Sequence, residues 1–257
     1  MERHFPQTID GQVELLDFLE RHTSHALPSL PSTVGSWMAL TSLNFSNCRH
    51  LTCLPESVSG WISLKRLTMR NCHALTDLPA SAGCWAALTQ LDLSIMCSAL
   101  TDLPESVGGW ARLTELDLSC CHALPGLPKS VGGWVSLREL SLHECRALTS
   151  LPDSVGGWAV LTKLNMSGCN ALTGLPESVG SWELLAQLNL QGCSALVDVP
   201  KSVGSWVALH ELDLRDCCAL KCLPDSICGW TSLEIFHEAG CTDKVKQHLA
   251  SLKFTRN

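Results

Sequence analysis

The sequence predicts an α/β solenoid: short parallel strands on a concave face, loops and short helical turns on the convex face, and helical caps. Three observations carry this expectation. Tryptophans stand at 37, 61, 85, 110, 134, 158, 182, 206 and 230, every interval being 24 residues except the 25 between Trp85 and Trp110. Between them leucines recur in the spacing L-x-x-L-x-L. The composition is skewed as copying one short unit would skew it, with nine Trp, fifteen Cys and no Tyr in 257 residues. Self-similarity at a period of roughly 20–50 residues is the signature of a repeat architecture.

Aligned on the tryptophan, the unit reads L-x-x-L-x-L-x-x-C-x-A-L-T-x-L-P-x-S-V-G-x-W-x-x. One clean copy runs Leu113, Leu116, Leu118, Cys121, Ala123, Leu124, Leu127, Pro128, Val131, Trp134. Eight full copies start at Leu40, Leu64, Leu88, Leu113, Leu137, Leu161, Leu185 and Leu209, a partial copy precedes them (Leu27 to Trp37), and a degenerate one follows (Leu233, Phe236, Cys241). The extra residue of the 25-residue interval falls in Ser94-Ile95-Met96-Cys97. Leu116-x-Leu118 alternates with period two, which makes this stretch a strand with its leucines on one face. Beyond the cysteine the chain crosses the back, where proline punctuates an extended or one-turn helical path. A strand of about three residues cannot bury its own leucines, so neighbouring copies must stack in parallel to make a core.

This pattern resembles the leucine-rich-repeat family, whose strand consensus is L-x-x-L-x-L-x-x-N/C, over roughly residues 27–241. Within that family it is most similar to the 24-residue repeats of plant intracellular nucleotide-binding disease-resistance receptors. Met166-Ser167-Gly168-Cys169-Asn170-Ala171-Leu172 and Leu175-Pro176-Glu177-Ser178-Val179-Gly180 carry that likeness. The departure is Trp where those repeats usually have Leu. The chain contains no G-x-x-x-x-G-K-S/T loop, so it is expected to be a stand-alone relative or a truncated member, without the nucleotide switch. The resemblance implies a defence or signalling role.

A solenoid exposes core at both ends unless something covers it. Asp10 with Val13, Leu16 and Leu19 predicts an N-terminal helical cap within 1–26; Asp243 with Val245, Leu249 and Leu252 predicts a second within 242–257. The repeat domain between them is assigned to 27–241.

The formal net charge of −7, with 18 Lys and Arg and no basic run, argues against nucleic acid, whose phosphates need clustered positive charge. The N-terminal residues show no apolar stretch of signal-peptide type, and no window approaches the roughly 18 apolar residues of a membrane span. A soluble, cytoplasmic monomer is expected, with free thiols and no disulfide framework.

Three columns are candidates for chemistry. The first is Cys48, Cys72, Cys97, Cys121, Cys145, Cys169, Cys193, Cys217 and Cys241, some with an adjacent histidine (Cys72-His73, Cys121-His122). Zinc needs four converging ligands, whereas equivalent side chains of a stack run parallel about 5 Å apart. The column is therefore read as buried structural thiols, and no metal or cofactor is expected. The second is the tryptophan column, either an exposed aromatic ladder or packed core; core packing is the expectation, with each buried indole N–H needing a carbonyl.

The third column is the outward face of the strands. Its trios run Ser42/Asn44/Ser46, Arg66/Thr68/Arg70, Gln90/Asp92/Ser94, Glu115/Asp117/Ser119, Glu139/Ser141/His143, Lys163/Asn165/Ser167, Gln187/Asn189/Gln191 and Glu211/Asp213/Arg215. They are polar throughout and differ between copies while the framework does not. Arg66, Arg70, Asp92, Glu115, Asp117, Glu139, His143, Lys163, Glu211, Asp213 and Arg215 are the expected partner-binding residues, with Asp92, Glu115, Asp117 and Glu139 forming an acidic patch beside Arg66 and Arg70. The bland reading is a solvated face. Catalysis by paired carboxylates is disfavoured, because an open sheet excludes no water and shifts no pKa. The expected function is a non-catalytic protein–protein interaction module with no catalytic residues. The alternative is a structural or regulatory scaffold self-associating through the Trp face or the solenoid ends. An enzyme subunit is weighed against by the absence of any 100-residue non-repeat region.

Overall fold

The computed structural model describes residues 28–254, with side chains described to 250. The N-terminal cap expected at residues 10–22 lies outside the described residues. Nine strands form one parallel sheet in sequence order: β1 (Ser42–Asn44), β2 (Arg66–Thr68), β3 (Gln90–Asp92), β4 (Glu115–Asp117), β5 (Glu139–Ser141), β6 (Lys163–Asn165), β7 (Gln187–Asn189), β8 (Glu211–Asp213) and β9 (Ile235–His237). Neighbours pair with no slip, so Leu43, Leu67 and Leu91 lie opposite one another, and Leu116 continues the row. A one-residue slip would turn the buried leucines to solvent, and identical copies leave no competing register.

Each strand is preceded on the back by a five-residue 3-10 turn, from Ser32–Ser36 to Asp225–Gly229. The proline before the turn sets it. Pro128 has φ −65° and ψ 156°, and its carbonyl accepts the Val131 N–H at 3.3 Å, while Val131 O accepts the Trp134 N–H at 3.0 Å. Proline's fixed φ suits this position, and its missing N–H is not needed there. Close stacking of the turns explains the glycine: a Cβ on Gly133 would meet the Gly108 carbonyl oxygen at 2.1 Å.

The tryptophans are core, as their spacing predicts, being 0–2% exposed from Trp37 to Trp230. Successive indoles stack with centroids 5.7–6.4 Å apart and planes within 3–19° of parallel. Each indole N–H from Trp61 onward donates to a main-chain carbonyl of the preceding turn. Trp61 reaches Val34 O at 2.8 Å, Trp134 reaches Val107 O at 2.8 Å and Trp230 reaches Val203 O at 2.7 Å. The indole thus fills the space a leucine would leave and has its N–H satisfied by a carbonyl that also accepts the main-chain N–H of its own turn's tryptophan. It also removes the Trp face as a surface for self-association, because the rings are not exposed.

The cysteine column follows the same rule one turn later. Cys145 Sγ donates to Leu118 O at 3.2 Å, Cys169 to Leu142 O at 3.1 Å and Cys193 to Met166 O at 3.2 Å. Burial pushes most of these thiols up, Cys48 to about 11 and Cys145 and Cys193 to about 12, so those three are neutral donors at pH 7, whereas the hydrogen bond with Cys72 draws Cys97 down. The residue before each cysteine has a left-handed backbone. Gly168 and Gly192 adopt it freely, and Asn47, Asn71 and Asp216 are residue types that tolerate it. The extra residue of the long repeat is absorbed at this point, where Ile95 (φ 59°) and Met96 (φ 68°) bulge outward and are about half exposed. β3 and β4 keep their register across it.

At the C-terminal end helix α1 (Asp243–Phe254) closes the stack, with Val245 and Leu249 fully buried in the common core. These two residues lie one helical turn apart on one face.

Two measurements test this account. Trp134→Ala removes the stacking on both sides and the indole bond to the Val107 carbonyl, so urea unfolding should show a loss of about 3–5 kcal/mol. Val135→Ala, at an exposed neighbour, should cost less than about 0.5 kcal/mol. For Cys48, Cys145 and Cys193 the folded-state pKa values are raised, so their contribution is complete below the unfolded value of about 8.5 and is lost as pH rises toward about 12. The urea midpoint should fall between pH 8 and 11, with no tyrosine in the chain to share the effect. In native buffer a thiol reagent should label exposed Cys53, Cys84, Cys218, Cys222 and Cys228 and spare the column.

Candidate binding face

The outward side of the sheet encloses a groove of about 650 Å³, lined by residues from Arg66 on β2 to Glu211 and Asp213 on β8. Two rows of side chains cross it, the first and middle members of the trios, and of the third row Arg70 lines it. Every expected partner-binding residue lies on this face or at its lower edge, because alternation along three-residue strands sends their flanking side chains to one side.

The rows differ in what holds them. In the middle row Asn44, Asp92, Asp117, Asn165, Asn189 and Asp213 each accept, through Oδ1, the main-chain N–H two residues on, at 2.8–3.0 Å. This bond turns the chain out of the strand. The middle row is therefore partly framework, which the sequence reading treated as variable surface. The signal was available: six of its eight members are Asn or Asp.

Asp213 is the extreme case. It is 5% exposed, and Arg215 covers it, with Nε at 3.0 Å from both carboxyl oxygens and a further contact from Nη2 at 2.5 Å. Burial opposes ionisation of this carboxyl, but the guanidinium and the Arg215 N–H outweigh it and hold the group below the usual carboxylate range. Arg215 also donates to Gln191 Oε1 at 3.2 Å, so the β8 end of the groove is a closed polar network.

The acidic patch is bracketed by cations. In the upper row Glu115 lies opposite Glu139, and in the middle row Asp92 lies opposite Asp117. Like charges directly opposed across a ladder destabilise it. One member of each pair is compensated from outside: Arg70 Nε sits 2.5 Å from Asp92, and Lys163 Nζ sits 3.1 Å from Glu139. Among the described residues Glu115 and Asp117, both on β4, have no cationic partner, and Arg66 on β2 has no anionic one. Elsewhere the face is knitted together by neutral bonds, including His143 Nδ1 to Ser167 Oγ at 2.8 Å and Gln187 Nε2 to Glu211 at 3.0 Å.

The chemistry available is recognition by charge and hydrogen bonding. Ser167 Oγ donates to Asn165 Oδ1 at 2.7 Å, so it meets His143 as an acceptor and is not activated as a nucleophile. Among the described residues no three His, Cys, Asp or Glu side chains converge as metal ligands, and no helix is long and apolar enough to cross a membrane.

Comparison with known proteins agrees with this architecture. The family model described as Leucine Rich Repeat matches residues 39–61. Comparison with curated protein sequences gives no match. Among solved structures, the leucine-rich-repeat domain of the type III effector XopL is 24% identical, with a TM-score of 0.59 over 90% of this chain and 84% of that one. Internalin C2 of Listeria monocytogenes is 14% identical, with a TM-score of 0.57 over 89% of this chain and 92% of that one. A chain of the Drosophila Toll–Spätzle complex is 20% identical, with a TM-score of 0.65 over 87% of this chain and 30% of that one. The strand order, the register and these likenesses agree that the chain folds as a leucine-rich-repeat solenoid.

Proposed function

We propose that the protein is a non-catalytic interaction module whose concave strand face binds a protein partner. The single observation that carries this reading is the charge arrangement on β4. Asp92 and Glu139 are paired by cations on flanking strands, which leaves Glu115 and Asp117 as a local excess of negative charge at the middle of the groove, with Arg66 two strands away. A partner that places a lysine or arginine over β4 and a carboxylate near Arg66 completes both. Such pairs set register and on-rate more than raw affinity, as expected of an open, solvated face.

The setting we propose is plant-type defence or signalling in the cytoplasm. The likeness of Met166–Gly180 to plant immune-receptor repeats supports the first part, and fifteen unpaired thiols suit a reducing compartment. The rival, a scaffold joined through its tryptophans, loses its surface because the indoles are buried.

The test uses variants that respect the framework role of the middle row. Asp117→Asn keeps the Oδ1 acceptor for the Ser119 N–H and removes the charge; Glu115→Lys reverses an exposed one. The double variant should retain its thermal midpoint and lose at least about tenfold in affinity for a partner recovered by crosslinking and quantified at 0.1 M salt, since about 1.4 kcal/mol corresponds to tenfold. Asp198→Lys, away from the strands, should bind as wild type. Equal binding by the double variant and the wild type overturns the concave site.

A further inference from the structure

The residues that follow each tryptophan form a second surface, independent of the concave face. The chain turns there from the back into the next strand, so these side chains stand on one flank of the solenoid. Met38, Ile62, Val135, Leu184 and Val207 are each 50–53% exposed. Alanines occupy six of the thirteen remaining places in the two positions after the tryptophans, and the position before each tryptophan is Gly, Ser or Cys throughout. The opposite flank, after each cysteine, carries Arg49, His73, His122 and Arg146 instead. Twelve of the eighteen places in the two positions after the tryptophans are apolar, and a mainly apolar strip on one flank alone is the kind of surface that a protein covers.

Only two of the eighteen side chains in the two positions after the tryptophans are charged, Arg112 and Glu183. Both are exposed, and neither forms an ion pair among the described residues. Counting turns by their tryptophans, Arg112 belongs to the fourth and Glu183 to the seventh. They lie symmetrically about a point between the fifth and sixth. A two-fold axis through that point sets turn n against turn 11 − n, so Glu183 of one copy faces Ala111 of the other and lies diagonal to Arg112 beside it, twice per interface.

The same operation matches shapes. It sets Val135 against Ala159, Val207 against Ala86 and Ile62 against Thr231, a larger side chain against a smaller one each time. On the adjoining rim it brings Lys65 opposite Glu234 and opposes no like charges. Duplication of one repeat would give a uniform column; here the exceptions complement one another.

We infer that this flank is an interface between two copies of the chain, packed antiparallel about that two-fold. The eight turns this axis pairs, at about 4.8 Å spacing on a strip about 12 Å wide, give roughly 450 Å² per copy. The total of about 900 Å² lies below the standard size of stable interfaces, which points to weak, reversible association. The expectation of a monomer from the sequence gives way to a concentration-dependent dimer. Because the axis passes through the middle of the arc, both grooves open on the same side, and the dimer offers a partner two equivalent faces.

Sedimentation equilibrium from about 1 to 500 μM tests this. The wild type should pass from monomer to dimer and stop there. Arg112→Glu and Glu183→Arg should each raise the dissociation constant at least tenfold with an unchanged thermal midpoint, and the combined exchange should restore the wild-type value. Val135→Lys, beside the axis, should abolish the dimer. A monomer at every concentration overturns the inference and leaves the concave-face reading untouched. A dimer indifferent to Val135→Lys, or single reversals that the exchange does not rescue, overturns this face and register.

Discussion

Each indole N–H from Trp61 onward and each column thiol from Cys72 onward is hydrogen-bonded one turn away from its own. An indole N–H meets the carbonyl of the previous turn's valine, and a thiol meets the carbonyl at the end of the previous strand. The chain's advance per turn is therefore fixed by hydrogen-bond length on two sides of the core and by strand pairing on a third. A repeat that drifted by an ångström would lose an indole bond, a thiol bond and a ladder bond together. The uniform geometry of nine turns follows from that coupling, as does the absorption of the extra residue within Ile95 and Met96 and not in the strands.

Rigidity of this kind makes the surface a set of columns. Side chains in equivalent places stand about 4.8 Å apart, so any column reads as a linear pattern of charge and size. Where every member is the same the column is framework, and where members differ it can discriminate between partners. On the concave face the differences are concentrated in the first and third members of each trio, because the middle member must turn the chain. On the flank they amount to one cation and one anion among small apolar residues.

The two surfaces divide the work by their chemistry. The groove is polar, solvated and locally unbalanced in charge at Glu115 and Asp117, which suits a reversible, oriented encounter. The flank is apolar and narrow, which suits weak association with a surface of the same kind. Asp213 shows why counting charges is not enough: it belongs to the same column as Asp117, yet Arg215 covers it and spends its charge within the molecule.

The sequence by itself determined the architecture. A 24-residue period with L-x-L strands admits one solution, because no repeat can bury its leucines alone, and the tryptophan and cysteine columns read as core for the same reason. Helix α1 was legible from Val245 and Leu249. Tertiary structure alone decided which surface residues remain available. Asp92, Glu139 and Asp213 look alike in the sequence to Glu115, but their neutralisation by Arg70, Lys163 and Arg215 depends on which strands lie side by side and on the rotamers that reach across. Likewise Met38, Ile62 and Val135 read locally as part of an apolar W-x-x-L run. Their exposure is set by the turn from back to strand, which sends the tryptophan inward and the next side chain out.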